Sequence, residues 1–282
     1  MVTKTIINSA IGSLELTPEN GYNVQTISNI GYGTKYSISD ILSKHGVKLG
    51  NALFKNKVFS IGLMIVGTSV VDLIEKRALL YKYLTVDNYS NDDKIQFEFV
   101  MANGQSLLLS GILKDLTDDL TTDQINASPI NFVIETEYPF LVSKQQYQIR
   151  IPIATGGGGA VPMTIPLDMS AGAANYTPIS NGGNVFAYPT MRFTGLLTNP
   201  VILDVLKSKS LAIAATISGG AYYDIDTYQR TVLDNVGNNK LDKLTGEFLV
   251  INPGENRFKL STDNAGDTGY VDVTYAYHYV SI

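Results

Sequence analysis

Glycine-rich segments are the first places to look for chemistry, because backbone N–H groups in such loops can hold phosphates. Residues 156–159 are four consecutive glycines, but Ala160, Val161 and Pro162 follow them. A phosphate-binding loop needs Lys and then Ser or Thr at the mouth of a helix. The run Gly31-Tyr32-Gly33 lacks the third glycine of a dinucleotide fingerprint. Neither segment therefore predicts nucleotide binding.

The usual metal ligands and nucleophiles, histidine and cysteine, are scarce. The chain has no Cys and two His, His45 and His278. The lack of Cys excludes disulfides, zinc–thiolate sites, iron–sulfur clusters and Cys nucleophiles, and two His alone are a poor basis for a zinc site. The count leaves a Ser–His–Asp arrangement open, but neither His has a recognisable context. His278 falls on the outward phase of a predicted strand, so we expect a surface histidine.

Acidic side chains form two clusters along the sequence that could supply oxygen ligands to calcium. The clusters are Asp115, Asp118, Asp119 and Asp123, and Asp263, Asp267 and Asp272. Neither cluster has the spacing of an EF-hand loop, so solvated turns are the favoured interpretation of both clusters. A carboxylate pair for glycoside hydrolysis is a spatial feature that spacing does not reveal. We accordingly predict no catalytic residue, no cofactor-binding residue, no metal ligand and no cofactor.

The charge balance argues against nucleic acid or an anionic membrane as the main partner. Lys and Arg number 21 and Asp and Glu number 26, so the net charge is −5. Phosphate contacts require Lys or Arg, which a mildly acidic chain supplies poorly. The longest uncharged apolar run, 58–71, is too short to span a bilayer as a helix, and the start of the sequence lacks the apolar core of a signal peptide. We expect a protein without a membrane anchor.

Residue alternation predicts a mainly β protein. The chain contains 25 Gly, 10 Pro and 17 Tyr together with abundant Thr, Val and Ile, a composition typical of strands joined by turns. The clearest alternation places Val271, Val273, Tyr275, Tyr277 and Tyr279 on one face of a strand. Further strands are predicted at 57–66, 94–101, 105–113, 130–137, 147–153, 190–194, 210–217, 222–225, 229–233 and 247–251.

Helical periodicity is clear in one segment, 69–84. Val70, Ile74, Ala78 and Tyr81 share an apolar stripe there, and the charged residues lie mainly elsewhere. Thr68 or Ser69 can cap the start of this helix by accepting from its first N–H groups. A second, shorter helix is predicted at 37–44, with Gly46 as its stop.

The sharpest break in composition lies between Ala154 and Pro189. This stretch contains the four consecutive glycines at 156–159, three prolines and only one charged residue, Asp168. Consecutive glycines maximise backbone freedom and supply no side chain to bury, which favours a linker over a long loop inside one domain. We predict an N-terminal domain at 1–153, a Gly/Pro-rich linker at 154–188 and a C-terminal domain at 189–282.

The C-terminal third carries an ordered set of turn-rich motifs. They are Asn181-Gly-Gly-Asn184, Tyr188-Pro189, 189–195, 198–202, 223–232, Asn238-Asn239, 248–256 and the strand at 271–279. This order resembles the C-terminal domain of distal tail proteins of long, flexible-tailed bacteriophages. The N-terminal half has an apolar strand, Thr68-Ser69, a helix through Arg77 and paired strands ending at Tyr138-Pro139-Phe140, an order similar to the ring-forming domain of that family. The resemblance covers most of the chain.

Physically, these C-terminal motifs describe turns. Pro253-Gly254 is a turn pair, since Pro fixes φ and Gly tolerates a positive φ. Residues 235–239 include Gly237 and predict a loop. We also predict that Arg230 pairs with Asp224 or Asp226 across a bend, although three exposed side chains would contribute little.

The resemblance implies a mainly β fold of two β-sandwich or barrel-like domains, the first with one or two helices and the second galectin-like. It implies a structural, non-enzymatic hub: a hexameric ring of N-terminal domains below the tail tube, with C-terminal domains holding tip or receptor-binding proteins. The implied partners are further copies of the chain, the tail tube protein and the tip proteins, and genomic DNA passes the channel without specific binding. The implied location is the virion tail tip, after assembly in the host cytoplasm.

Two other functions stay open on the residues alone. A carbohydrate-binding β-sandwich adhesin is the main alternative, because Tyr combines apolar area with a hydroxyl group and can build a sugar-stacking surface. Trp, the favoured sugar platform, is absent. A β-sandwich glycosidase is the third candidate, and it requires two carboxylates facing one cleft.

Overall fold

Alternating apolar side chains draw most of the chain into antiparallel strands, which confirms the mainly β prediction. The computed structural model describes residues 1–28, 34–35, 38–40, 47–49, 53–85, 87, 94–118, 126–154 and 176–281. The chain divides into two compact units. The first unit is Met1–Lys144 with Tyr279–Ile282, and the second unit is Gln145–His278.

The first unit is built from strands and one long helix. The elements are β1 (Val2–Ser9), β2 (Gly12–Leu16), β3 (Tyr22–Ser28), β4 (Thr34–Lys35), β5 (Ile38–Asp40), β6 (Val47–Leu49), β7 (Leu53–Phe54), β8 (Val58–Val66), α1 (Val70–Leu84), β9 (Ile95–Met101), β10 (Ser106–Asp118), β11 (Ala127–Glu135) and β12 (Leu141–Pro152), which ends in the second unit. A single 3-10 turn, Pro18–Asn20, connects β2 to β3.

Two sheets enclose the core of the first unit. One follows the order β2-β1-β9-β10-β12, and the other follows β10-β11-β8-β3. Strand β10 joins both, since a bulge between Leu113 and Asp115 shifts its register and bends it. Phenylalanines pack between the sheets: the ring of Phe59 lies 5.5 Å from that of Phe97, which stacks on Phe132. Burial of each ring stabilises the unit by about 1.5–3 kcal/mol.

The predicted helix exists as α1, but its buried face is not the predicted stripe. The side chains packed on the core are Leu73, Leu80 and Leu84. These leucines form a competing stripe at i, i+7 and i+11, and they bury more apolar area than a stripe that includes Ala78. Val70, Ile74 and Ala78 are exposed instead. No helix in the described part of the chain is both long and apolar enough to cross a membrane.

The second unit contains eleven further strands and the end of β12. They are β13 (Thr177–Asn181), β14 (Thr190–Thr194), β15 (Leu197–Thr198), β16 (Val201–Asp204), β17 (Lys209–Ile213), β18 (Thr216–Ile217), β19 (Tyr222–Asp226), β20 (Thr231–Asp234), β21 (Leu244–Gly246), β22 (Gly254–Ser261) and β23 (Tyr270–Tyr279). A 3-10 turn at Leu241–Lys243 precedes β21.

These strands form a β-sandwich, as the resemblance implies. One sheet has the order β13-β22-β16-β17-β21, and the other has the order β12-β23-β14-β19-β20. Their inner faces share a core in which Phe193 and Val271 of one sheet meet Phe258 and Leu260 of the other. Because side chains alternate along each strand, the opposite face of the second sheet is left to polar residues.

The compact units have bounds different from those of the domains predicted from composition. Strand β13 falls in the stretch predicted as linker, 154–188, and it pairs with β22 of the second unit. Residues 155–175 of that stretch lie outside the described residues. The division at 1–153, 154–188 and 189–282 therefore stays a prediction.

Two predicted elements are wrong. Residues 38–40 of the helix predicted at 37–44 form strand β5, which pairs with β6. The sequence there includes Ile38 and Val47, residue types with a high propensity for strands. The other residues of that segment lie outside the described part. The strand predicted at 247–251 is reduced to an isolated bridge between Ile251 and Ala187. Gly246, with φ of 89°, ends β21 just before this segment.

Candidate functional site

The start of α1 is fixed by local hydrogen bonds of the kind expected from its sequence. The Ser69 hydroxyl accepts from the backbone N–H of Asp72 at 3.1 Å, which confirms the predicted cap. The Asp72 carboxylate accepts in turn from the backbone N–H of Thr68 at 2.7 Å and pairs with Lys76 at 3.0 Å. These bonds, chiefly that from Thr68, lower the pKa of Asp72. The helix therefore begins at one defined residue with one defined rotation.

That rotation leaves an apolar surface in solvent. We define the apolar helix face as Val70, Val71, Ile74 and Ala78, which fall within about 100° of one another around α1. Val70, Val71 and Ile74 are 47%, 65% and 59% exposed. Contiguous exposed apolar residues on one helix face mark interaction surfaces more often than scattered ones do. The apolar helix face is thus a candidate contact for another protein chain.

A polar cluster beside this face holds α1 in place. Arg77 and the hydroxyl group of Tyr81 both contact the Asp118 carboxylate, and Ser128 donates to its other oxygen at 3.4 Å. Burial and the bond to Asp118 raise the pKa of Tyr81. Asp118 belongs to the first acidic set considered as a calcium site, and its role is instead to anchor the helix.

The first unit also has a groove beside strand β3. The groove has a volume of about 350 Å³ and is lined by residues of β1, β2 and β3, among them Thr5, Leu16 and Thr26. Thr5 is buried, and its Oγ1 has no hydrogen-bond partner within the described residues. In the described part of the chain, β3 pairs only with β8, so its other edge can accept a further strand.

The second unit carries a polar groove on the outer face of its second sheet. The groove has a volume of about 510 Å³, within the usual range for small-molecule sites. We define the polar groove by its lining side chains, which come from five neighbouring strands: Gln148, Thr190, Arg192, Asp224, Asp226, Thr231, Leu233, Asp272 and Thr274. Strand register explains the grouping, because Arg192 lies opposite both Asp224 and Asp272.

Two clusters of the same three residue types flank this groove. Arg150 binds Asp272 through two hydrogen bonds of 2.8 and 3.0 Å, and its guanidinium lies 3.7 Å over the ring of Tyr270. We call this the Arg150 cluster. Tyr270 and Asp272 are two residues apart on β23, so their side chains share the outer face of that strand.

The second cluster repeats the first one strand pair away. Arg192 binds Asp224 at 2.7 and 2.8 Å and lies 4.4 Å over the ring of Tyr222. We call this the Arg192 cluster. The bidentate bond to Asp224 raises the pKa of Arg192. Sequence reasoning missed both clusters, since each combines residues from separate strands.

Arg230 does not form the predicted ion pair. Asp224 pairs with Arg192, and Asp226 accepts from the backbone N–H groups of Tyr228 and Gln229 at 2.8 and 2.9 Å. Asp226 thus closes the turn itself, and Arg230 adopts a positive φ of 55° in that turn. The two predicted turns at Gly237 and Gly254 are confirmed, with φ of 85° and 86°.

The carboxylates of the second acidic cluster also bind other residues of the second unit. Asp267 accepts from the backbone of Thr198 at 2.6 Å, Asp263 accepts from Asn199 at 2.8 Å, and Asp272 binds Arg150. The described residues contain no group of three or more metal-ligating side chains. His45, Asp119 and Asp123 lie outside the described part of the chain.

His278 is buried, and the surface position predicted for it is wrong. The alternation of β23 holds through Tyr275, but Ala276 and Tyr277 are both half-buried, and this phase change turns His278 inward. His278 is 7% exposed, and its Nδ1–H donates to the carbonyl of Phe186 at 3.2 Å. Burial lowers the pKa of His278 to about 4. A side chain at Gly183 would collide with the backbone of His278, which explains a glycine there.

A buried cation distinguishes the first unit. Lys57 is 4% exposed, and its Nζ donates to the carbonyl of Val280 at 2.8 Å. Burial lowers the pKa of Lys57 to about 8. The bond holds the segment that follows β23 within the first unit, to which both residues belong. In the same unit, Gln105 donates to the hydroxyl of Tyr279 at 2.7 Å.

Comparison with known proteins identifies the fold. No protein-family model matches the sequence, and neither does any curated protein. Among solved structures, the chain is similar to the Dit protein of phage SPP1, described as a paradigm of the hub adsorption apparatus in phages that infect Gram-positive bacteria. The identity is 12%, the TM-score is 0.66, and the match covers 97% of this chain and 98% of that one.

Two structures of the phage P2 baseplate in its activated conformation, with calcium and with strontium, also match. Each is 10% identical, with TM-scores of 0.49 and 0.48; the matches cover 97% and 96% of this chain and 98% and 97% of theirs. The SPP1 match confirms, at the level of the fold, the resemblance to phage distal tail proteins.

Proposed function

We propose that this chain is a structural hub of a phage tail tip. In this role the first unit assembles with copies of itself into a closed ring of six, and the ring joins the tail tube to tip or receptor-binding proteins. The protein acts by assembly without turnover. It is made in the host cytoplasm and resides at the virion tail tip.

The observation that carries this proposal is the similarity in fold to the SPP1 hub protein along nearly the full length of both chains. A match restricted to one sandwich would be a weak basis, because β-sandwiches support many unrelated functions. Here the match covers 97% of this chain and 98% of that one, so it includes both units.

The apolar helix face gives the proposal a physical driving force. Val71 and Ile74 are more than half exposed, and each Å² of apolar surface removed from water contributes about 25 cal/mol. A closed ring uses two different surfaces of each subunit, so that one copy's face meets another face of its neighbour. The apolar helix face and the open edge of β3 are two such surfaces on the first unit.

The net charge of −5 fits a channel through which DNA passes without adhering, because like charges repel. This feature supports the proposed passage of the genome. The proposed partners are therefore further copies of this chain, the tube protein and the tip proteins.

Light scattering coupled to size-exclusion chromatography, with electron microscopy of the same fractions, tests the assembly. We expect a ring for the wild-type protein, alone or with the tube protein of the same phage. Ile74→Asp should give folded monomers, as circular dichroism checks, because the charge would be buried in the contact. Val236→Asp is the matched control, since Val236 is 73% exposed in the second unit, and it should still form rings.

A wild-type protein that stays monomeric at high concentration, forms no ring and binds neither tube nor tip proteins would overturn the proposal. Rings formed equally well by Ile74→Asp would overturn the role given to the apolar helix face.

A further inference from the structure

We propose that the polar groove of the second unit is a binding site for a neutral saccharide. This inference is independent of the tail-tip role, because it concerns the outer face of one sheet in the second unit. It also differs from a tyrosine stacking platform, since the groove recognises hydroxyl groups through charged and amide side chains.

The composition of the groove selects the class of ligand. Most of its lining side chains carry hydrogen-bonding groups, and Leu233, which is 38% exposed, supplies an apolar contact at one side. A peptide bound on a sheet usually adds to a strand edge or fills apolar pockets, and this groove lies on a sheet face instead. A sugar presents many hydroxyl groups around a compact ring with some apolar C–H surface. That combination matches a polar sheet face with one apolar contact.

The two clusters hold their donors and acceptors rigid before any ligand arrives. Each guanidinium is fixed on one edge by a bidentate carboxylate and on one face by a Tyr ring, at 3.7 Å for Arg150 and 4.4 Å for Arg192. Long side chains normally lose rotamer freedom on binding, which weakens affinity. Here that freedom is already restricted, and each guanidinium retains further N–H groups that can donate to a ligand.

The geometry of a bidentate pair suits vicinal hydroxyl groups. Asp224 occupies the edge of Arg192 formed by Nε and Nη2, which leaves the N–H groups on Nη1 and one on Nη2 for a ligand. Two neighbouring N–H groups of a planar guanidinium bind two adjacent polar atoms at once. The Arg150 cluster presents the same arrangement one strand pair away. Two adjacent sugar rings, or two sides of one ring, can therefore meet equivalent sites.

The charge of the groove favours a neutral ligand. Arg150 and Arg192 are balanced by Asp224, Asp226 and Asp272, so these five side chains sum to −1. An anionic sugar or a phosphate would meet carboxylates whose cationic partners are already neutralised. The rings of Tyr222 and Tyr270 are covered by guanidinium groups, so recognition relies on hydrogen bonds.

Saturation-transfer difference NMR on the full chain tests the inference. The probes are glucose, galactose, N-acetylglucosamine and lactose, each titrated separately up to about 50 mM, since single small sugars are expected to bind with millimolar dissociation constants. We expect at least one probe to bind saturably. Arg192→Ala and Asp272→Asn should each weaken that binding roughly tenfold or more.

The chain offers a matched control outside the groove. Arg257 pairs with Glu255 at 2.7 Å and lies 4.8 Å over the ring of Tyr176, so Arg257→Ala removes the same kind of cluster from the other sheet. This variant should bind the sugar as the wild type does. Circular dichroism and the unfolding temperature establish that each variant is folded, and Arg192→Lys replaces Arg192→Ala if the latter is not.

Three results would overturn the proposal. The first is that no probe binds the wild-type protein saturably. The second is that folded Arg192 and Asp272 variants bind as well as the wild type. The third is that Arg257→Ala weakens binding as much as Arg192→Ala, which would place the sugar elsewhere.

Discussion

The two units use the same three residue types in opposite ways. In the first unit, Arg77 and Tyr81 meet at the carboxylate of Asp118, and the Arg and Asp side chains are only 17% and 14% exposed. In the second unit, Arg192 and Asp224 are 52% and 41% exposed, and the Tyr ring lies under the guanidinium. One arrangement is part of the interior that holds a helix, and the other lies on an open sheet face.

This difference shows that exposure decides what such a cluster contributes. A partly buried ion pair cannot lose one member without leaving an uncompensated charge. An exposed pair contributes little to folding, because water competes for the same contacts, but it remains available to a ligand. The first unit therefore uses its cluster for stability, and we assign the clusters of the second unit to recognition.

The largest expected effect comes from removing the buried carboxylate. Asp118→Ala should lower the free energy of unfolding of the first unit by about 3 kcal/mol, because Arg77 and the Tyr81 hydroxyl lose their shared acceptor inside the unit. Calorimetry resolves the transitions of a chain with two units and measures this loss. A loss below about 1 kcal/mol would contradict the interior role of the cluster.

Acidification should destabilise the second unit through His278. The pKa of His278 is about 4 in the folded unit, below its ordinary value of 6.5, so the folded state takes up this proton less readily than the unfolded state. Stability is full above pH 6.5 and falls by roughly 3 kcal/mol as the pH drops to about 4. The measurement is the difference in the free energy of unfolding between wild type and His278→Gln across this range. Taking the difference cancels the contribution of the carboxylates, which both proteins share. Parallel curves for the two proteins would contradict the prediction.

The stability of the first unit should also rise with pH, but in the alkaline range. Lys57 has a pKa of about 8 in the folded unit against an ordinary value of 10.5, so its charge is unfavourable below pH 8. Stability should rise by about 2–3 kcal/mol between pH 7 and 10.5. Lys57→Met should be more stable than wild type at pH 7 by a similar or smaller amount, since it also loses the bond to Val280. Urea titrations at both pH values measure this, and exposed Lys55→Met serves as the control.

The smallest expected effect on stability comes from breaking the exposed Arg192 cluster. Asp224→Ala should change the free energy of unfolding of the second unit by less than about 1 kcal/mol, although it breaks a bidentate pair, because both partners are half-exposed. The same calorimetric measurement as for Asp118→Ala applies. A loss as large as that of Asp118→Ala would mean that the Arg192 cluster is structural.

The sequence was informative where one periodicity dominated. Strand β14 was predicted at 190–194 with both bounds as found, and the start of α1 followed from Ser69. Helix rotation was not predictable, since Val70 and Ile74 compete with Leu73 and Leu80 for the core. Only tertiary packing settles that choice. Three residues of the predicted stripe, Val70, Ile74 and Ala78, instead belong to the apolar helix face that we propose for assembly.

The candidate groove could not be predicted at all. Arg192 reaches Asp224 across a strand pair, and Arg150 reaches a residue 122 positions away. Such clusters depend on strand register, which alternation alone leaves undetermined. The inward turn of His278 was missed for a related reason, since a single phase change at Ala276 reverses the pattern that the preceding residues establish.

The bond from Lys57 to Val280 has a consequence for biosynthesis. Translation supplies Lys57 before the whole second unit and Val280 only after it. The amino-terminal unit can collapse around its phenylalanines as soon as β11 is made, but its final fastening must wait. A pulse-labelled nascent chain halted before residue 279 should therefore be more protease-sensitive in its first half than the released protein.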